Sequence, residues 1–385
     1  MGEAVFLEIS LIIISCAALS WLALVLRQPL IIAYMAGGFL MGLPGLGLIR
    51  DTGFLDGVSG LGITLLLFLA GLVLHPRRLK ELFRQTILLT LANSLVSFIV
   101  CGTVCLLWGF SLRTSIFVAL PLMFSSTILV LKLLPTTALH HKRMGAYCIA
   151  ILIAQDLIAI ALLILIGAKG AAPMQWLFLP VKGILLVASA FAFEQIVLRR
   201  IMARCDRFHE TLQLLALGWC LLLALLSHAL GLSYEIGAFI AGVALARSPI
   251  SYFLSEQLKP FRDFFLVFFF FVLGTRFDPA AARVVILPAL LLCILMMAAK
   301  YGCFRFLFRK VGEPEAFAHE TGARLAQASE FSLILVLAEY RAGILSEAGF
   351  QLVQLVTFFS LILSSYFVVA RFPSPLATNP KLKQD

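Results

Sequence analysis

The chain has 385 residues, 62% of them hydrophobic and 13% charged, with a net charge of +10 and a mean hydropathy of +1.04. Soluble domains carry about 45–50% apolar and about 25% charged residues, so this composition excludes an ordinary soluble enzyme and points to an all-α polytopic membrane protein. A membrane β-barrel is excluded too, because a spanning strand alternates apolar and polar residues and no segment here does so.

A hydrocarbon core of about 30 Å takes roughly 20 helical residues per crossing. The polar breaks divide the chain into thirteen such segments, near 4–26, 30–49, 57–74, 86–108, 113–135, 144–168, 175–198, 210–230, 233–247, 262–276, 283–308, 321–341 and 349–371. The first begins with Glu3 and Glu8 instead of a basic region and is long, which predicts a retained helix and not a cleaved signal. Segment 2 carries Ala33, Tyr34, Met35, Ala36 and Gly37, and segment 3 carries Phe68, Leu69, Ala70 and Gly71. Segment 5 carries Pro121 and then Ser125, Ser126 and Thr127 at its centre, with Lys132 close enough to Pro135 at the inner end to snorkel. Segment 6 reads ILIAQDLIAIALLILI and places Gln155 and Asp156 about 18 Å from its start, near the bilayer midplane. Segments 9 and 10 repeat the earlier strings as Ala238, Phe239, Ile240, Ala241, Gly242 and Phe271, Val272, Leu273, Gly274.

The two pairs of strings are similarly spaced, 34 residues from Gly37 to Gly71 and 32 from Gly242 to Gly274. Segments 2 and 9 run in opposite directions, which predicts an inverted repeat of segments 1–6 and 8–13 with segment 7 as the link. Inverted repeats are an architecture of secondary transporters, with the site at mid-membrane beside interrupted helices. Segments 5 and 12 should then correspond. Segment 12 carries Gln327, Ala328, Ser329 and Glu330 at its centre, just after Arg324. Hydroxyls and side-chain amides satisfy the backbone groups freed where a helix unwinds inside protein, so both segments are expected to be broken. Lys300 in segment 11 lies too deep to snorkel easily and is expected to be a charge partner for the site. Arg324 is open to either role.

Basic residues sort by loop. One alternate set holds twenty, among them Arg77, Arg78, Arg199, Arg200, Arg309 and Lys310, and the other holds six. Because Lys and Arg are held on the cytoplasmic side, the N-terminus is expected outside and the C-terminus inside. The net charge is thereby explained by anionic lipid, without nucleic acid. Residues 1–371 form the expected transmembrane domain, and 372–385 a short cytoplasmic tail with no soluble domain to follow. The eight cysteines and six histidines show no ligand spacing, so no metal site beyond the transported ion and no cofactor is expected. No His-Glu-x-x-His, serine nucleophile elbow or aspartate pair suggests an enzyme.

A charged carboxylate at the bilayer centre costs about 2.5–3.5 kcal/mol on insertion scales. Asp156 is therefore held neutral by a proton or compensated by a cation, and the two compete. Exposed alternately to each side, one such acid exchanges H⁺ for a cation. The alternatives are a gated potassium-efflux channel or another ion-coupled transporter on the same architecture, and a scaffold that has lost transport.

The strings SSTILVLKLL, AILIAQDLIAI, GAFIAGVALA, LKPFRDFFLVFFFFVLG and AQASEFSLILVLA, in that order, resemble the monovalent cation:proton antiporter-2 family, and the Gln-Asp pair resembles its Kef-type potassium-efflux members. The resemblance implies thirteen helices, a homodimer, and a core whose two crossed, broken helices move against a dimerisation domain in the bacterial inner membrane. It implies that Asp156 binds cation and proton with Gln155 beside it, that Ser125, Ser126 and Thr127 form one break and Gln327, Ser329 and Glu330 the other, and that Lys300 is the family's buried lysine. Two features depart from the pattern. Gly71-Leu72-Val73-Leu74 stands where many relatives have Gly-Leu-Glu-Leu. The chain also stops before the nucleotide-binding domain of Kef-type proteins, so a separate regulatory subunit is the expected source of any such control. One carboxylate in place of an acid pair predicts electroneutral exchange of K⁺ or Na⁺.

Overall fold

The computed structural model describes residues 2–42, 45–49, 53–73, 76–134, 143–167, 173–205 and 209–374, with side chains except at 2–4, 73, 76–85, 131–132, 164, 167 and 173–181. Leu74, the tail from 375 onward and the Lys132 side chain lie outside what is described. Within these limits the chain is all-helical. Its elements are α1 (Gly2–Val25), α2 (Leu30–Met41), α3 (Gly53–Val73), α4 (Pro76–Leu107), α5 (Leu112–Leu122), α6 (Thr127–Leu133), α7 (Arg143–Gly167) and α8 (Pro173–Phe193). A π-helical turn at Glu194–Leu198 leads into α9 (Arg199–Arg204), followed by α10 (His209–Ala229), α11 (Tyr234–Leu245), α12 (Ser251–Thr275), α13 (Pro279–Lys310), α14 (Glu315–Arg324), α15 (Glu330–Arg341) and α16 (Glu347–Arg371). Among the described residues, eight stretches are long and apolar enough to cross a membrane, and α2 and α11 are shorter apolar helices.

α4 shows how such a helix is organised. Leu88, Leu91, Leu95 and Ile99 are exposed on one face, while Thr86, Thr90, Asn93, Ser97 and Cys101 are buried on the other. Polar groups turned inward and leucines turned outward invert the pattern of a soluble helix, because lipid solvates leucine and the protein interior supplies hydrogen bonds. Thr90 and Ser97 back-bond to the carbonyls of Thr86 and Asn93 at 2.7 Å. α1 likewise exposes Phe6, Ile14, Trp21 and Leu24.

Some limits differ from the sequence expectation. α2 ends at Met41, eight residues early, because Gly42 is extended and the Leu-Pro-Gly that follows cannot continue a helix. α12 starts eleven residues earlier than the apolar count suggested. Its first turns are amphipathic, with Lys259 and Glu256 paired on the exposed side, so they form helix without adding to the apolar span.

The chain divides into two compact units. One comprises Ile49–Arg78 and Ile160–Leu273. In it α11 packs on α3, α10 and α8, and the contact with α3 is backbone on backbone. A Cβ on Gly242 would stand 2.1 Å from the Phe68 carbonyl oxygen, and one on Gly71 would stand 2.5 Å from that of Phe239. Trp219 donates its indole N–H to the Ala241 carbonyl. The other unit comprises Met1–Leu48, Leu79–Ala159 and Gly274–Asp385. α16 is its centre, packed on α13, α15, α5, α6 and α14 with Gln351, Thr357, Ser360 and Ser364 buried. Here Gly274 meets α2, where a Cβ would lie 2.0 Å from the Met35 carbonyl oxygen.

Candidate ion-binding site

The second unit holds two helices that stop and restart. Segment 5 unwinds over residues 123–126 between α5 and α6, and segment 12 over residues 325–329 between α14 and α15. Pro121 removes one backbone donor in the last turn of α5. Each restart is capped by serine. The Ser126 hydroxyl accepts from Leu129 N at 3.0 Å; the Ser329 hydroxyl accepts from Phe331 N at 3.1 Å, and Ser332 returns the bond to Ser329 N. Such caps satisfy amide donors that a helix start leaves open.

The breaks lie against each other. The Ser125 hydroxyl donates to the Leu325 carbonyl at 2.7 Å, and the Ser332 hydroxyl donates to that of Pro121 at 2.6 Å. Ile128 N, in the first turn of α6, donates to Glu330 Oε1 at 3.2 Å. α5 and α14 thus end, and α6 and α15 begin, around one point.

Helix termini carry partial charges, positive where amides point out and negative where carbonyls do. Lys300 Nζ lies on the carbonyl side. It donates to the carbonyl oxygens of Phe124 at 2.5 Å and Gln327 at 3.1 Å, one from each break, and is fully buried. The carboxylates lie on the amide side: Glu330 caps α6, and Asp156 of α7 faces the Thr127 hydroxyl and Glu330. Lys300 therefore holds carbonyls, and no ion pair joins it to Asp156 among the described residues. Gln155 fastens α7 to the first break by accepting from Ser125 N at 2.9 Å. Its Nε2 has no protein partner.

Gln155, Ser125, Ser126, Gln327, Ser329, Glu330 and Lys300 are all buried; Asp156 and Thr127 are partly exposed. Asp156 thus stands at the edge of a dense polar backing. The oxygens around it are hard ligands, of the kind that take alkali cations or a proton and offer nothing to a soft metal. No group of His, Cys, Asp and Glu of metal-holding size occurs among the described residues.

Arg324 is the last residue of α14. Its guanidinium bonds Glu320, the Leu133 carbonyl and the Pro373 carbonyl at 2.7, 2.9 and 2.6 Å. It ties the end of α6 to the chain after α16, away from the crossing. Sequence reasoning missed the support from α16: Ser360 accepts from Ala328 N at 3.0 Å, and Ser364 donates to Gln327 Oε1 at 3.1 Å. The i, i+4 serine spacing was the available signal, since it places both hydroxyls on one face.

The family model for the transmembrane sodium/hydrogen exchanger matches residues 11–370. The chain belongs to the sodium/hydrogen exchanger family. Among the relatives of this exchanger domain, "K(+) efflux antiporter 5" of Arabidopsis thaliana is 31% identical over 355 residues, covering 86% of this chain and 59% of the relative. The glutathione-regulated potassium-efflux system protein KefC of Salmonella heidelberg is 27% identical over 352 residues, covering 88% and 56%. The chain thus spans somewhat over half the length of the curated relatives it matches. The fold is similar to that of the sodium proton antiporter MjNhaP1 from Methanocaldococcus jannaschii, with a TM-score of 0.74 at 15% identity over 95% of this chain and 97% of that one.

Proposed function

We propose that this protein exchanges a monovalent cation for protons at Asp156 by alternating access. One observation carries the reading: the Asp156 carboxylate faces two helix restarts, beside the Thr127 hydroxyl, in a polar crossing whose other members are buried. An acid at that depth favours its neutral form unless a cation sits on it. Proton and cation then take turns, and a site exposed first to one side and then to the other couples their fluxes. Thr127 supplies a neutral hydroxyl oxygen beside the acid, and Gln155, next to it in sequence, holds α7 against the break through Ser125 N. Glu330 is engaged in capping α6, so the movable charge is that of Asp156, and exchange is electroneutral. K⁺ is the first candidate, since the two curated relatives are named for potassium; Na⁺ is the second.

The same reading takes the chain as thirteen crossings in residues 1–371, in two inverted six-helix repeats, with a cytoplasmic tail from 372. The glycine contacts of Gly242 and Gly274 with the segments that carry Phe68 and Met35 support the repeat. The N-terminus is outside, and the protein is a homodimer in a bacterial inner membrane.

Proteoliposomes loaded with a pH-sensitive dye test this. Addition of K⁺, Na⁺ or Li⁺ should move protons outward against the cation, unaffected by a potassium ionophore, and Asp156→Asn should abolish the signal. Flux of cation without protons would make the protein channel-like. Full exchange by Asp156→Asn would remove Asp156 from the mechanism.

A further inference from the structure

Glu339 lies on α15 nine residues beyond Glu330, about 13.5 Å along the helix. It is fully buried, and neither carboxyl oxygen has a hydrogen-bond partner among the described residues. No described ion pair includes it. A buried acid kept for structure is ordinarily bonded to donors, as Glu330 is to Ile128 N. Glu339 has the burial without that donor.

Its position is set by neighbouring contacts. Ser332, two turns earlier on the same face, donates to the Pro121 carbonyl, so this face of α15 looks toward α5. Tyr340, next to Glu339, stacks on Phe350 of α16 with ring centroids 4.9 Å apart. A Cβ on Gly349, next to Phe350, would lie 3.6 Å from the Thr114 methyl of α5. The start of α5, the end of α15 and the start of α16 therefore share one level. At that level the Ser115 hydroxyl is also buried with no partner. Between it and the crossing stands Thr357, whose hydroxyl is likewise unpartnered. The Thr357 carbonyl accepts from Ser360, which bonds the break at Ala328. Polar atoms thus continue from the crossing toward the membrane face away from Arg324. The charged groups at that end include Arg113, Arg276, Arg341 and Glu347, each exposed or half-buried, with Arg276 and Glu347 acting on the neighbouring Tyr340.

We propose that Glu339 is a second ion-binding carboxylate, which takes the proton or the monovalent cation as it passes between Asp156 and the membrane face where α5 begins. This rests on the exchange reading above and adds a station to it. At the station the carboxyl gives up its proton when a cation arrives and regains one when the cation leaves, so charge and protons balance.

The experiment compares wild type with Glu339→Gln, Glu339→Asp and Asp156→Asn. Exchange is read in proteoliposomes with KCl, and in parallel with NaCl. Proton release on adding the same salts is read in lightly buffered detergent solution, because cation binding expels protons from a carboxyl. Glu339→Gln should keep coupled exchange but slow it at least about tenfold and lower proton release per molecule by about half. Glu339→Asp should restore both in part. Glu339→Gln that elutes and melts like wild type and matches it in rate and release overturns the proposal. So does a variant whose only change is a lower melting temperature, with an unchanged rate per folded molecule. Loss of exchange in Asp156→Asn alongside either result leaves the exchange reading standing. Exchange surviving in Asp156→Asn refutes that reading itself.

Discussion

Lys300→Met separates two roles that the sequence alone left joined. Met is close to Lys in length and leaves no cavity, so the substitution removes the ammonium and little else. Two buried carbonyls, those of Phe124 and Gln327, then lose their donor. Each unsatisfied buried group costs about 1–3 kcal/mol, or about 2–6 kcal/mol together. Relief of the ammonium's own desolvation offsets part of this, which leaves a net loss of about 2–4 kcal/mol. At roughly 2 °C per kcal/mol, the lower end of the range for large domains, the melting temperature should fall by about 4–8 °C. The assay is thermal unfolding of the purified protein in detergent, with Lys259→Met as control. Lys259 is partly exposed and pairs only with Glu256, so its loss should stay within about 0.5 kcal/mol of wild type. A Lys300→Met protein that melts with wild type would refute the carbonyl-clamp argument. Unchanged melting with lost exchange would instead make Lys300 a charge partner of the ion site.

Gly242→Ala should destabilise by about 1–3 kcal/mol, because its new Cβ would press on the Phe68 carbonyl at 2.1 Å. Gly218→Ala, with open space around it, should be neutral or gain up to about 1 kcal/mol of helix propensity in the same melting assay. Acidification should raise the half-saturating cation concentration without lowering the maximal rate, since H⁺ and cation compete for Asp156. Below the proton affinity of the site the rise is about tenfold per pH unit, read from exchange rates at stepped pH. A falling maximal rate at constant half-saturation would contradict competition.

Much of this protein could be read without coordinates because a membrane imposes strong rules on a chain. Length and apolarity mark the spans, basic residues mark the loops, and any ionisable group between them stands out. Asp156 stands out for that reason, and both breaks were legible, since Ser125, Ser126 and Thr127 or Gln327 and Ser329 have no place in a lipid-facing helix. The limits of α2 and α12 were less legible. An extended glycine and an amphipathic lead-in do not alter hydropathy enough to be seen.

What only the tertiary structure decided is which group compensates which. In the sequence Lys300 is a positive charge near a negative one, and pairing with Asp156 is the simplest guess. Folding instead brings two helix ends to Lys300, and the carbonyls of Phe124 and Gln327 accept its hydrogen bonds. Those carbonyls are backbone, identical in every residue, and become acceptors only where a helix stops beside a partner 176 residues away, as Phe124 does beside Lys300. Side-chain chemistry is written locally, whereas the field made by helix ends depends on where those ends meet.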